Sequence, residues 1–154
     1  MGVVTAMREI KFRGKCIPEF PHPVAKWVYG SFVSDKLILS PYKERNENRH
    51  FWYMVDPDTV GQFTGLKDKD GREIYEGDIL QNKHARYILK YDKGEFVAVE
   101  ITTRAVPDKT GWHWEDIEKS VQPLKDVLDN LIDDYKIIVV GNIHDNIIVR
   151  DGAR

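Results

Sequence analysis

Thr64–Leu80 reads TGLKDKDGREIYEGDIL, a run in which Asp68, Asp70, Glu73, Glu76 and Asp78 crowd around Gly65, Gly71 and Gly77. Such a run either gathers ligands or makes turns, and the offsets decide which. With Gly71 as the sixth position of a calcium loop, Asp68 and Asp70 fall on the third and fifth positions. Leu66 and Gly77 then occupy the first and twelfth, where the loop needs oxygen ligands, so both anchors are missing. As a folding signal the run is coherent. Asp70-Gly71 is a tight-turn dipeptide leading into the strand REIY, whose Ile74 and Tyr75 pack while Glu73 and Glu76 face water. Gly77-Asp78 makes a second bend, with the Asp78 carboxylate accepting backbone N–H groups before Ile79 and Leu80 re-enter the core.

Outward from this block the periodicity is mostly that of strands. In REIKFRGKC, alternation puts Ile10 and Phe12 on one face and Lys11, Arg13 and Lys15 on the other, which predicts a basic outer stripe. CIPEFPHPV, with Pro18, Pro21 and Pro23, predicts an extended loop. KWVYGSFV and LILS flank Ser34-Asp35-Lys36, and RYILKY and EFVAVEITT flank Asp92-Lys93-Gly94, so each pair predicts a hairpin. KERNENRH is polar enough to predict an exposed, mobile loop before the strand HFWYMV, which ends at Asp56-Pro57. Leu124, Val127, Leu128 and Leu131 share a helical face after Pro123. KIIVV then reads as a buried strand broken by Gly141-Asn142, with a last short strand near NIIVR. The expectation is a mainly β protein with one short helix.

At 154 residues, 42% hydrophobic and 31% charged, the chain has the length and composition of one soluble domain. A formal charge of −2 excludes a global field that would select nucleic acid or membrane. The charge is nevertheless uneven, with nine Lys/Arg against five Asp/Glu in residues 1–50 and two against seven in residues 115–134. One cysteine, Cys16, excludes an internal disulfide and fits a reducing, cytoplasmic setting. MGVVTAMREI lacks the pattern of a secretory leader, and no apolar run reaches the length of a membrane span.

Candidates for chemistry are few. His22, His50, His84, His113 and His144 are scattered without ligand spacing, so no metal or cofactor is expected. No serine stands in a nucleophile elbow, and no glycine-rich phosphate loop occurs. Glu76 and Asp78 form the one carboxylate pair that an acid–base hydrolase would use, given a pocket around them. In GWHWED, Trp112 and Trp114 share a face if extended, which makes a stacking platform for bases. Tryptophans also serve as core or interface anchors.

MREIKFR at Met7–Arg13, VGQFTGLKDKDGREIYEGDIL at Val60–Leu80 and VVGNIHDN at Val139–Asn146 together resemble the YopX family of phage and prophage proteins. The resemblance covers the chain from Met7 onward, which sets residues 1–6 apart as an N-terminal extension and leaves 7–154 as a single domain. It implies a mainly β fold containing a small SH3-like barrel with additional hairpins, in a protein of no established activity. The structural motif here would comprise Gly65, Asp70, Gly71, Tyr75, Gly77, Asp78, Gly141 and Asn142. The expected function is non-enzymatic binding. Nucleic acid is the leading ligand, through Lys11, Arg13, Lys15, Trp112 and Trp114 with Lys83 and Arg86 nearby in strand order. SH3-like barrels serve elsewhere as nucleic-acid modules, an analogy of fold alone. A phage or host protein, or a second copy of the chain, is the alternative partner.

Overall fold

The computed structural model of the chain describes residues 7–17, 27–44, 47–129 and 136–145, with the side chains of 42–49 left out. The fold is mainly β, with two antiparallel sheets and one short helix, and divides into compact units at Met1–Leu66 and Lys67–Arg154.

In the first unit, β1 (Phe12–Lys15) lies between β2 (Trp27–Ser34) and β5 (Gly61–Lys67), and β3 (Leu37–Glu44) and β4 (Glu47–Met54) extend the order to β4-β3-β2-β1-β5. Val28, Ile38 and Val55 form its core, with Phe12, Cys16, Tyr53 and Val60 packed around them. Gly30 is required where β2 meets β3, because an added Cβ would sit 2.1 Å from the Leu39 carbonyl oxygen. After β4, Asp56 starts the 3-10 turn Pro57–Thr59 by accepting the Asp58 N–H. Thr59 then donates its hydroxyl to the Asp56 carbonyl and accepts the Lys15 N–H, tying that turn to β1.

Two sequence expectations change here. The described residues of the KERNENRH stretch are strand: β3 runs to Glu44 and β4 starts at Glu47, paired up to Glu44↔Glu47. A ladder of backbone hydrogen bonds carries the hairpin past its apolar part, which side-chain polarity does not reveal. The basic stripe is also not open. Only Phe12–Lys15 is strand, and it is an interior one, so Arg13 is 6% exposed with its guanidinium over the Trp27 ring, whereas Ile10 is 67% exposed. Stacking on an aromatic face lets a weakly hydrated guanidinium be buried in this way.

The second unit contains β6 (Glu73–Tyr75), β7 (Asp78–Gln81), β8 (Arg86–Asp92), β9 (Glu95–Asp108), β10 (Gly111–Pro123), α1 (Leu124–Leu128) and β11 (Ile138–Asn142). Its sheet is ordered β10-β9-β8-β7-β11. Leu80, Tyr87, Leu89 and Ala98 on one face meet Leu124 and Val127 of α1, with Ile74 and Ile137 completing the core. The β8–β9 turn places Lys93 and Gly94 at positive φ, as the Asp92-Lys93-Gly94 signal required. The KIIVV strand ends at Asn142, the second residue of the expected Gly141-Asn142 break. β11 continues through both with an irregularity between Val139 and Gly141, and Asn142 then builds the following turn by accepting the His144 and Asp145 N–H groups. The expected Pro-rich loop, the Leu131 end of the helix, the NIIVR strand and the extension 1–6 lie outside the described residues.

Candidate functional site

Three carboxylates of the central run, those of Asp68, Glu73 and Asp78, are engaged in hydrogen bonds within the fold. Asp68 is buried, and its Oδ1 accepts the Asp70 and Arg72 N–H groups at 2.9 Å each, closing the turn around Gly71. Its Oδ2 accepts the Val139 N–H at 2.9 Å, so one side chain also pins β11. Asp78 is 1% exposed and accepts the Tyr75 N–H at 2.8 Å, while the Tyr75 hydroxyl donates to Glu73. Buried carboxylates persist where backbone donors compensate the lost hydration. Asp78 thus has the hydrogen-bonding role expected of it, and a structural one. Among the described residues no group of three His, Cys, Asp or Glu side chains is arranged to hold a metal ion, and no helix is long and apolar enough to cross a membrane.

The accessible features lie on β9 and β10. Pairing of β8 with β9 stops at Arg86↔Ile101, whereas β9 pairs with β10 all the way to Asp108↔Gly111. Thr102–Asp108 and Gly111–Ile117 therefore form a two-stranded arm beyond the sheet, in which only Val106 and Ile117 are half-buried. At its tip the Asp108 carboxylate accepts the amide and hydroxyl of Thr110 and lies 3.0 Å from His113 Nδ1. Those bonds, the Thr110 ones foremost, hold the Asp108 carboxyl below its ordinary value. Trp112 is 74% and Trp114 53% exposed. Directly opposite them stand Pro107 and Ala105, so both rings share one face and neither meets a bulky cross-strand neighbour. Thr103 and Asp116, joined by a 2.6 Å hydrogen bond, continue that face toward the sheet, where Lys90 pairs with Glu118.

At the foot of the arm the register slips between Glu118 and Ser120, leaving Lys119 as the extra residue of a bulge. Its ammonium lies 3.0 Å from Glu100, which also accepts the Ser120 hydroxyl. Beside it opens a cleft of about 340 Å³ lined by Gln81–Arg86, Glu100–Thr103 and Lys119. The β7–β8 turn forming one wall is fixed by Asn82, whose side-chain oxygen accepts the His84 and Ala85 N–H groups. Arg86 donates twice to the Gln81 side-chain oxygen, at 3.1 and 2.9 Å.

The YopX protein family matches residues 31–147, most of the chain. The chain belongs to the YopX family. No curated protein gives a significant match. The matched span takes in the tryptophan arm and the cleft but stops short of Lys11, Arg13 and Lys15.

In this YopX-family chain, Trp112 and Trp114 are brought together as the sequence alternation anticipated. Arg13 is buried, and Lys11 lies over the Phe63 ring at 4.8 Å with Glu9 at 3.1 Å. Lys15 is half-buried. Sequence reasoning noted Lys83 and Arg86 but missed Lys119. The only local signal was its position in the long polar stretch after GWHW, where a bulge leaves no mark in composition.

Proposed function

We propose that this protein is a phage- or prophage-derived binding module, acting without catalysis in a bacterial cytoplasm, whose ligand is single-stranded nucleic acid held on the tryptophan face of the β9–β10 arm. The observation that carries the reading is the pair of exposed rings at Trp112 and Trp114 on one face of one strand. Side chains two residues apart on a strand stand roughly 7 Å from each other, about twice the ~3.4 Å step of a nucleic-acid strand. A base can therefore stack on each ring, or one can enter between them. Unpaired bases offer both faces for this; bases inside a duplex do not. The proposal extends to the fold class, where five antiparallel strands around one core in the second unit support an SH3-like relation. Residues 7–154 act in it as one functional unit.

Fluorescence anisotropy with labelled single-stranded DNA, duplex DNA and RNA tests the reading beside a Trp112→Ala/Trp114→Ala variant. Stacking contributes about 1–3 kcal/mol per base, so the variant should bind at least ~10-fold more weakly while remaining folded. Equal affinity for the variant, or no binding by the parent protein at low salt, sinks the proposal.

A second reading, docking of a protein partner or a second copy, is favoured by a different feature. β10 is an edge strand of 13 residues whose exposed side chains include Val121 as well as the tryptophans. That binding would change little with salt, and sedimentation velocity distinguishes self-association from a foreign partner.

A further inference from the structure

We propose that Asp116 reads a guanine base presented to the tryptophan pair of the arm. Strand alternation decides which side chains can meet one ligand. Trp112, Trp114 and Asp116 stand at every second position of β10, opposite Pro107, Ala105 and Thr103 of β9, so these six share one face. Glu115 lies on the reverse face opposite Arg104, with its carboxylate 3.7 Å from that guanidinium. Glu118, next after Asp116 on the tryptophan face, is paired with Lys90. Among the described residues, Asp116 is therefore the one carboxylate of this face of β10 that no cation neutralises.

The side chain is held but not used up. The Thr103 hydroxyl donates to Asp116 Oδ1 at 2.6 Å, which orients the carboxylate across the ribbon and leaves Oδ2 without a partner among the described residues. An ionised carboxylate only accepts hydrogen bonds. Beside a strand held by stacking it also repels phosphates, so it costs affinity unless the ligand brings N–H donors to it. Those donors belong to a base edge.

The donor pattern selects the base. Guanine puts two N–H donors side by side on its Watson–Crick edge, N1–H and the 2-amino group, and these match the two oxygens of a carboxylate. Adenine and cytosine offer an amino group next to a ring acceptor, and thymine and uracil one N–H between two carbonyl oxygens, so each sets an acceptor against Asp116. Asp116 follows Trp114 by one pleat repeat, roughly 7 Å, within reach of the edge of a purine whose rings lie on the indole. Unpaired nucleotides leave that edge open, whereas a duplex occupies it. The guanine could come from a single strand or from a free nucleotide. As part of a strand it rests on the stacking reading above and adds base preference to it.

Fluorescence anisotropy on the full-length protein compares labelled thymidine oligonucleotides carrying one central guanine, inosine, adenine or cytosine with the all-thymine strand. Two variants accompany the parent. Asp116→Asn sets amide donors against the guanine donors, and Thr103→Val keeps the carboxylate but removes the hydroxyl that orients it. Circular dichroism verifies that both are folded. The parent should bind the guanine strand roughly 5- to 100-fold more tightly than the all-thymine one, with inosine, which lacks the 2-amino group, in between. Asp116→Asn should bring guanine down to the affinity of thymine, while all-thymine binding stays the same or strengthens as a negative charge is lost. Thr103→Val should narrow the preference. Indole N–H shifts of Trp112 and Trp114 on titration with guanosine monophosphate against uridine monophosphate report whether the free nucleotide suffices.

Oligonucleotide binding without a guanine preference, a preference that survives in Asp116→Asn, or an equal loss for every strand in that variant overturns the role of Asp116 and leaves the stacking reading intact. Guanosine-specific indole shifts in a protein that binds no oligonucleotide keep the guanine site and sink the strand reading. Equal shifts with the two nucleotides, in a protein that binds no oligonucleotide, overturn both.

Discussion

Asp68 serves three backbone donors, those of Asp70, Arg72 and Val139. Asp68→Ala should lower stability by about 3 kcal/mol in urea denaturation, since a buried donor left without its acceptor costs ~1–3 kcal/mol. The two glycines of greatest interest separate two different mechanisms. Gly71 sits at φ 82° with open space around it, so Gly71→Ala should cost only ~1–2 kcal/mol of backbone strain. Gly30→Ala meets backbone 2.1 Å away, where neither strand can yield cheaply, and should leave no folded first unit by near-ultraviolet circular dichroism. Glu100 supplies the pH dependence. The Lys119 hydrogen bond first, then that of Ser120, holds its carboxyl below the ordinary value of 4.5. A depressed carboxylate stabilises the fold above its unfolded value, and that contribution disappears as pH falls through the lower, folded one. NMR titration should therefore put Glu100 below 4.5, and Lys119→Met should move it back toward 4.5.

At the level of elements, the arm and the helix bound the range of energetic weight. Thr102–Ile117 buries little, so joining Thr103 to Asp116 through Asn-Gly should change stability by no more than ~1 kcal/mol while abolishing ligand binding. Leu124, 2% exposed in a helix of five residues, should cost about 3 kcal/mol on replacement by Ala, because both transfer and cavity terms apply. This contrast also explains what could be read in advance. The β2–β3 and β8–β9 hairpins were legible because apolar alternation and turn dipeptides agreed, and the helix because Leu124, Val127 and Leu128 kept its spacing. The arm was visible only as the Trp112/Trp114 alternation, since strands exposed on both faces carry no burial pattern. Lys119 was hidden because a bulge is a property of register between two strands. The burial of Arg13 was hidden because alternation within β1 does not show that strands cover it on both edges.

Across the described residues, the two units differ in the number of residues that centre their cores. Three buried residues centre the described part of the first, whereas eight form the cluster of the second. Protection from hydrogen exchange should accordingly be greater in β8 and β9 than in β2 and β3, the difference reading local opening free energy. Cys16 offers a chemical report on the same point. Its thiol packs against the first core, and burial pushes its pKa up, so alkylation should be slow in the native protein. Labelling should accelerate at denaturant concentrations where β8 and β9 amides are still protected; simultaneous loss of both would mean that the units open together.

The bond from Asp68 to Val139 has a temporal side. During synthesis the carboxylate leaves the ribosome seventy-one residues before the amide it will accept, an interval of about 4–14 s at typical elongation rates. Through that interval the Gly71 turn can close on its local bonds, but the edge of β7 that β11 will cover stays open to other chains. A nascent chain stalled before Val139 is made would thus present an unfilled strand position, and its rescue would depend on how quickly β11 follows β7 out of the ribosome.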